Sequence, residues 1–406
     1  MTTLETPVGD RPLRHRNFRL LVTGTTTSSL GNAITPVALA FAVLDLGGSA
    51  SELGLVVAAF ALAEVVTVLF GGVLGDRVPR QLMLEGSSAA CTVTQGLVAA
   101  LLIGGWATIP LLGAIGVLNG CLGALSQPSS SALTRSTVPA DLVSRAVAQR
   151  ALFQTSAAVV GFAAGGALVA AVGSGWAIAV DAATFAIAAY CFSRLDVPHT
   201  RPDGVRQSFF SDLGDGLREV LRHTWLWLLI GQALLYHLFY GGAQSVLGPI
   251  VVGGGFGRSA WGLALGVLMA GFVAGGLLCL RWEPRRSLLA GTALLSLTAA
   301  FPLAMALSDH LLVILVGAFL HGFGLQVFDV QWQVAIQQNV PEEKLARVYS
   351  FDMVGSFVAR PLGLVLVGPI AAAVGFDRWL VVVGLVMGGS ALLALLSPDV
   401  RRVVRA

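Results

Sequence analysis

The chain has 406 residues, 55% of them hydrophobic and only 12% charged, where soluble domains carry about 25% charged residues. That balance excludes an ordinary water-soluble domain and points to a protein solvated largely by lipid. The net charge of +3 says little by itself, because in a membrane the placement of Lys and Arg sets orientation and the total does not.

Apolar runs long enough to cross a ~30 Å hydrocarbon layer at ~1.5 Å per residue are predicted, in chain order, at 18–46, 51–75, 82–104, 108–133, 146–172, 175–195, 225–251, 260–280, 287–308, 311–338, 348–374 and 376–397. Stretches such as "LLVILVGAFLHGFG" are apolar all round and do not alternate at every second residue, so helices are expected and barrel strands are not. The fold class is an all-α multipass membrane protein with twelve transmembrane helices. Residues 1–17 are polar and Arg-rich and lead into a first span too long for a signal-peptide core, which reads as an uncleaved insertion signal.

The longest polar interruption, 196–224, divides the chain into an N-terminal six-helix unit (1–195) and a C-terminal one (225–406). Within this connector Phe209, Phe210, Leu213, Leu217, Val220 and Leu221 fall at helical spacing, which predicts a helix lying along the membrane surface. The two halves echo each other. "VPADLVSRAVA" at 138–148 matches "VPEEKLARVYS" at 340–350, and "GGVLGDRVPRQLML" at 71–84 matches "GGLLCLRWEPRRSLL" at 275–289, each at the same ordinal span of its half. A tandem duplication follows, a known transporter design.

Nearly all of the 25 Lys and Arg residues fall on the side of the chain ends, with Arg258 and Arg378 opposite and Arg360 inside a span. The positive-inside rule then makes both termini cytoplasmic. Arginines scattered over helix ends do not make a nucleic-acid surface, so no such partner is expected. Cys91, Cys121, Cys191 and Cys279 lack CxxC spacing and read as small hydrophobes, with no disulfide and no metal site expected. There is no GxxxxGK[ST] loop and no catalytic constellation, so neither ATP drive within the chain nor an enzyme is expected.

The loop after the second span carries Gly72, Leu74, Asp76, Arg77 and Arg80. With six-plus-six spans and a long central connector, this chain resembles the major facilitator superfamily; Pro79 in place of the usual Gly is similar to its drug and siderophore exporter branch. The resemblance implies two six-helix bundles and a cytoplasmic latch formed by Gly72, Asp76, Arg77 and Arg80 while the protein is open outward. The chemistry is consistent with that role: glycines allow close helix approach, and an acid at a helix C-terminus welcomes a cation or a facing N-terminus. "GFAAGG" at 161–166 resembles the family's antiporter signature with Phe162 in place of its Pro, and Gly161, Gly165 and Gly166 are expected at a close helix contact.

Ionisable side chains at mid-membrane cost on the order of 2.5–3.5 kcal/mol or more, so they face a cavity or a partner. Glu64, Asp181, Asp329 and Arg360 are such positions, together with His237 and His321. In the family spans 2 and 11 meet, which implies a pairing of Glu64 with Arg360. Glu64 is expected to carry the coupled proton, because a proton and a nearby cation compete for one carboxylate. Asp329 is an alternative partner for Arg360, and Asp181 is expected near the outer rim, as a packing acid or a coupling site.

Spans 1, 4, 7 and 10 line the family's cavity, which nominates Asn32, Gln127, Gln232, Tyr236, Tyr240, Gln244, Gln326 and Gln331 for substrate contact. Neutral amides and aromatics suit a bulky amphipathic or weakly cationic ligand better than a phosphate, which needs converging Arg or Lys. The expected function is proton-coupled export of drug-like or secondary-metabolite molecules by alternating access, in the cell membrane. No cofactor is expected beyond the proton gradient, and the partners are a small-molecule substrate, protons and lipid, with the chain as a monomer. The alternatives are an importer or facilitator of a neutral nutrient and, from another class, a non-transporting sensor or a lipid scramblase on the same fold.

Overall fold

A computed structural model describes residues 11–75, 78–197, 218 and 220–404, with backbone only at 69–75, 127–129, 131–132, 342–343, 346–347, 350 and 352–357. Among these residues twelve long helices follow one another: α1 (Arg16–Asp45), α2 (Ala50–Gly75), α3 (Arg80–Gly104), α4 (Ile109–Leu133), α5 (Val143–Val172), α6 (Ser174–Ser193), α7 (Thr224–Phe256), α8 (Arg258–Cys279), α9 (Ser287–Leu307), α10 (Leu311–Asn339), α11 (Glu342–Val374) and α12 (Phe376–Ala394). A short α13 (Pro398–Arg402) ends the chain. Eleven of the twelve are long and apolar enough as they stand to cross a membrane, and α11 adds the apolar stretch Val358–Val374.

Most boundaries fall within a few residues of those expected. The differences lie at α7, which runs on to Phe256, and at α11, which starts at Glu342. Pro341 immediately before α11 and the acids in its first turn are a helix start that hydropathy alone does not register. Single glycines with positive φ join α5 to α6 (Gly173, φ 87°), α7 to α8 (Gly257, φ 91°) and α11 to α12 (Gly375, φ 98°). A residue with a Cβ is strained in that conformation, and the freedom of glycine lets each chain reversal occur in one step.

The helices form two bundles. In the first, α1 packs on α5 and α6, α3 on α4 and α6, and α2 on α4; in the second, α8 packs on α10, α7 on α11, and α9 on α10 and α12. The bundles meet along α5–α8 and α2–α11. The largest apolar core crosses this seam, joining Val37 and Phe41 of α1 to Val246 and Leu247 of α7 and Trp261 of α8. The outward faces stay apolar, with Val93, Leu312 and Leu385 each more than 60% exposed, as helices solvated by lipid require.

Several helices are locally broken. A π-helical turn occupies Ala243–Leu247 of α7, a 3-10 turn occupies Ser296–Ala299 of α9, and Pro36, Pro361 and Pro369 interrupt the ladders of α1 and α11. Such breaks free backbone groups for side chains to satisfy. In α5 no proline interrupts the helix, so Phe162 leaves an unbroken rod where the antiporter signature has its proline. Of the connector, Arg218 and Leu221 are helical and Val220 is buried beside Trp225 and Leu226; the rest of the expected surface helix lies outside the described residues.

Candidate functional site

The seam between the bundles is built from small residues. A Cβ on Gly161 would meet the carbonyl oxygen of Leu30, and one on Gly165 would lie 3.0 Å from the Cα of Ile34, so both face α1. Gly166 faces the other bundle, where a Cβ would come within 2.8 Å of the Gly262 Cα on α8. Gly54 of α2 similarly lies against Leu364 of α11.

At the end of the molecule opposite the termini, Arg258 of α8 grips Asp45 of α1, with Nη2–Oδ1 2.5 Å and Nη1–Oδ2 2.9 Å. The same guanidinium lies over the Phe41 ring, 5.4 Å from its centroid. Sequence reasoning placed Arg258 on this side but missed Asp45, which looks like an ordinary helix-ending residue until the bundles are docked.

Lower in the seam, Glu64 of α2 and Arg360 of α11 are electrostatic neighbours, and Arg360 also acts on Tyr236 and His237 of α7. Its side chain lies over Gly241. Asp329 shares a side-chain hydrogen bond with Gln333, one turn along α10.

Asp181, about two turns into α6, is buried in the first bundle with no solvent exposure. Thr35 of α1 donates to its Oδ2 at 2.6 Å, Gln95 of α3 to the same oxygen at 2.8 Å, and Thr184 to Oδ1 at 3.3 Å. Gly31 leaves the space this carboxylate occupies, since a Cβ there would collide with Asp181 Oδ1 and Thr184 Oγ1. Beside this network is a cleft of about 130 Å³ lined by Asn32, Thr35, Gln95 and Asn119 among others, in which Thr94 donates to Asn119 at 2.6 Å. The threonines carry no sequence signal that separates them from ordinary helix residues.

The second bundle holds a larger cavity of about 250 Å³ between α7 and α10, with Gln232, Tyr236, His237, Phe272, Asp329 and Trp332 in its wall. Behind Tyr236 stands His321, fully buried. Its Nδ1 lies 2.8 Å from the carbonyl oxygen of Thr298, and its Nε2 lies 2.8 Å from Tyr236 Oη. The helical donor for the Thr298 carbonyl would be residue 302, which is a proline and has no N–H. His321 supplies the missing donor. A carbonyl only accepts, so Nδ1 carries the proton; in the neutral ring Nε2 then accepts, and Tyr236 donates to it. Tyr240 stacks on the same imidazole with centroids 4.2 Å apart.

The remaining nominated residues are spread more widely. Tyr240 is buried with an unpartnered hydroxyl, and Gln244 sits in the π-helical turn. Gln326 faces Gly275 of α8, and Gln331, 1% exposed, packs on Gly291 of α9 and donates to Cys279 Sγ at 4.0 Å. All four cysteines are free. Arg80 opens α3 and Gly72 lies in the last turns of α2. Asp76 and Arg77 lie outside the described residues, as does the side chain of Gln127.

Comparison with known proteins supplies the family. The model of the Major Facilitator Superfamily matches residues 21–280 and 259–405. The multidrug efflux pump Tap of Mycolicibacterium fortuitum is similar at 26% identity, over 94% of this chain and 96% of that protein. Among solved structures, a bacterial homolog of the human lysosomal transporter Spinster, inward-facing and unoccupied, superposes with a TM-score of 0.73 at 16% identity, covering 97% of this chain and 98% of that one. The nucleoside transporter NupG gives 0.71 at 12% identity, covering 94% and 97%. The chain belongs to the Major Facilitator Superfamily and is a multipass membrane transporter, not an enzyme.

Proposed function

We propose that the protein is a proton-coupled exporter of drug-like or secondary-metabolite molecules, working by alternating access. The observation that supports this reading is that Glu64 lies within electrostatic reach of Arg360 across the α2–α11 seam. A carboxylate placed between the moving halves, beside one fixed cation and near the α7 cavity, exchanges its proton when the halves reorganise. Proton and cation compete for one site, and that competition is the thermodynamic basis of antiport. The similarity to an efflux pump over almost the whole chain supports the outward direction.

The units are 1–195 and 225–406, joined by the connector 196–224, and the chain acts as a monomer in the cell membrane. The clustering of Lys and Arg on the side of the termini supports cytoplasmic chain ends. The Asp45–Arg258 contact then closes the outer side, and substrate enters from the cytoplasm or inner leaflet. In the opposite state Gly72, Asp76, Arg77 and Arg80 close the inner side, and Gly161, Gly165 and Gly166 keep α5 close to both α1 and α8. Asn32, Gln232 and Tyr236 contact substrate, with Gln127, Tyr240, Gln244, Gln326 and Gln331 bordering its path. Asp181 and Asp329 are the further acids available for protons.

The test is accumulation of a fluorescent drug panel in everted vesicles with an imposed pH gradient. Wild type is expected to show uptake abolished by a protonophore, and Glu64→Gln to lose the gradient-driven part while retaining counterflow. Full pH-driven uptake by Glu64→Gln would overturn the coupling role, and protonophore-insensitive uptake by wild type would overturn proton coupling altogether.

A further inference from the structure

We propose that the cavity between α7 and α10 is a binding subsite for a planar heterocycle whose edge carries an N–H donor beside a hydrogen-bond acceptor, read by the side-chain amide of Gln232. The inference rests on the transporter reading above and specifies the ligand class of the C-terminal bundle. Gln232 stands in the cavity wall, is 5% exposed, and has a buried Nε2 with no hydrogen-bond partner. Burying an unpaired amide is costly, and a ligand with the complementary edge recovers that cost. A primary amide offers a donor and an acceptor in one plane, the geometry by which glutamine takes an adenine edge bidentately.

The neighbours narrow the class. Tyr236, one turn along the same face, has its proton committed to His321 and presents only lone pairs, and Asp329 adds a carboxylate acceptor. Among the described residues no Lys or Arg belongs to the lining, which disfavours phosphates and sulfonates. Phe272, Phe328 and Trp332 supply aromatic faces, the last two stacked at 14°, which suit a flat ring. At about 250 Å³ the space takes one or two fused rings, or one arm of a larger molecule. Beside the cleft of the first bundle Gln95 is engaged with Asp181, Asn119 Oδ1 accepts from Thr94, and Asn32 is exposed, so a buried unpaired amide sets the α7–α10 cavity apart from it.

The test uses the full chain in lipid nanodiscs at fixed pH without a gradient, titrated calorimetrically with isoquinolin-1(2H)-one and with its N-methyl derivative. The two share ring system and carbonyl and differ in the donor. Wild type is expected to bind the lactam about tenfold or more tighter than the N-methyl compound, since a site built to pair a donor rejects the analogue lacking it. Gln232→Met is expected to bring the two affinities within about twofold of each other by removing that pairing, while Gln81→Met, an amide of the first bundle bonded to the Leu195 carbonyl, keeps the discrimination. Equal affinities in wild type, no saturable lactam binding, or discrimination surviving in Gln232→Met would each overturn the proposal. Gln232→Leu, read with the same two outcomes, takes the place of Gln232→Met should that variant fail to fold. Because no gradient is present, the result is independent of whether Glu64 carries a proton.

Discussion

Asp181 shows how a buried charge is accommodated without a counter-ion: three donors from α1, α3 and α6 itself meet its carboxylate. Removing one donor leaves part of the carboxylate unsatisfied, whereas removing donor and acceptor together replaces both by apolar groups. Gln95→Leu is therefore expected to destabilise the protein by about 1–3 kcal/mol, and Gln95→Leu with Asp181→Leu by less than the sum of the single changes. Thermal unfolding in detergent, run as a double-mutant cycle, measures the coupling; strict additivity would count against the network. Gly31→Ala is expected to lower the unfolding temperature as well, because its Cβ takes the space of the carboxylate. The acid itself was legible in the sequence as an intramembrane charge. Its partners were not, because Thr35 and Thr184 are indistinguishable from threonines that bond only their own helix.

In α9, the 3-10 turn at Ser296–Ala299 and Pro302 leave the Thr298 carbonyl without its usual donor, and His321 on α10 takes that place. Pro302→Ala restores the backbone N–H and makes the His321 bond redundant. The cost of His321→Ala is accordingly expected to fall by about 1 kcal/mol in a Pro302→Ala background, again read from thermal unfolding. An unchanged cost would mean that the histidine serves Tyr236 alone. Helix existence and order were readable from hydropathy throughout, since each span has to satisfy its own backbone in lipid. The π-helical turn in α7 and the extension of α11 were not, because the first depends on packing against neighbouring helices and the second is polar.

For the whole molecule, the contacts that join the bundles at the end opposite the termini are expected to set which state of the proposed transport cycle is populated. In the Asp45–Arg258 pair the side chains are 42% and 36% exposed, so it contributes at most about 1 kcal/mol, enough to shift a two-state balance roughly fivefold. Asp45→Arg is expected to broaden the distance between spin labels placed at Thr108 and Asp309, and Asp45→Arg with Arg258→Asp to narrow it again. A distribution unmoved by either change would assign closure to the Gly166–Gly262 contact and the apolar seam alone. Gly166→Leu separates these contributions, since it props α5 away from α8 and is expected to open the same end with the ion pair intact.

The sequence by itself determined twelve helices, their order, the six-plus-six division and the family resemblance. Lipid imposes these through local rules, in which a span is about twenty apolar residues and charges gather at its ends. It also marked Glu64, Asp181, Asp329 and Arg360, because a charge is costly in that setting wherever it sits. Only the tertiary structure decided that Arg360 lies within electrostatic reach of Glu64, that Asp45 clasps Arg258, and that Gln232 stands in a cavity wall with its Nε2 unpaired. These pairings join residues from different helices, and helix docking depends on side-chain shape over whole faces, which no short stretch of sequence contains.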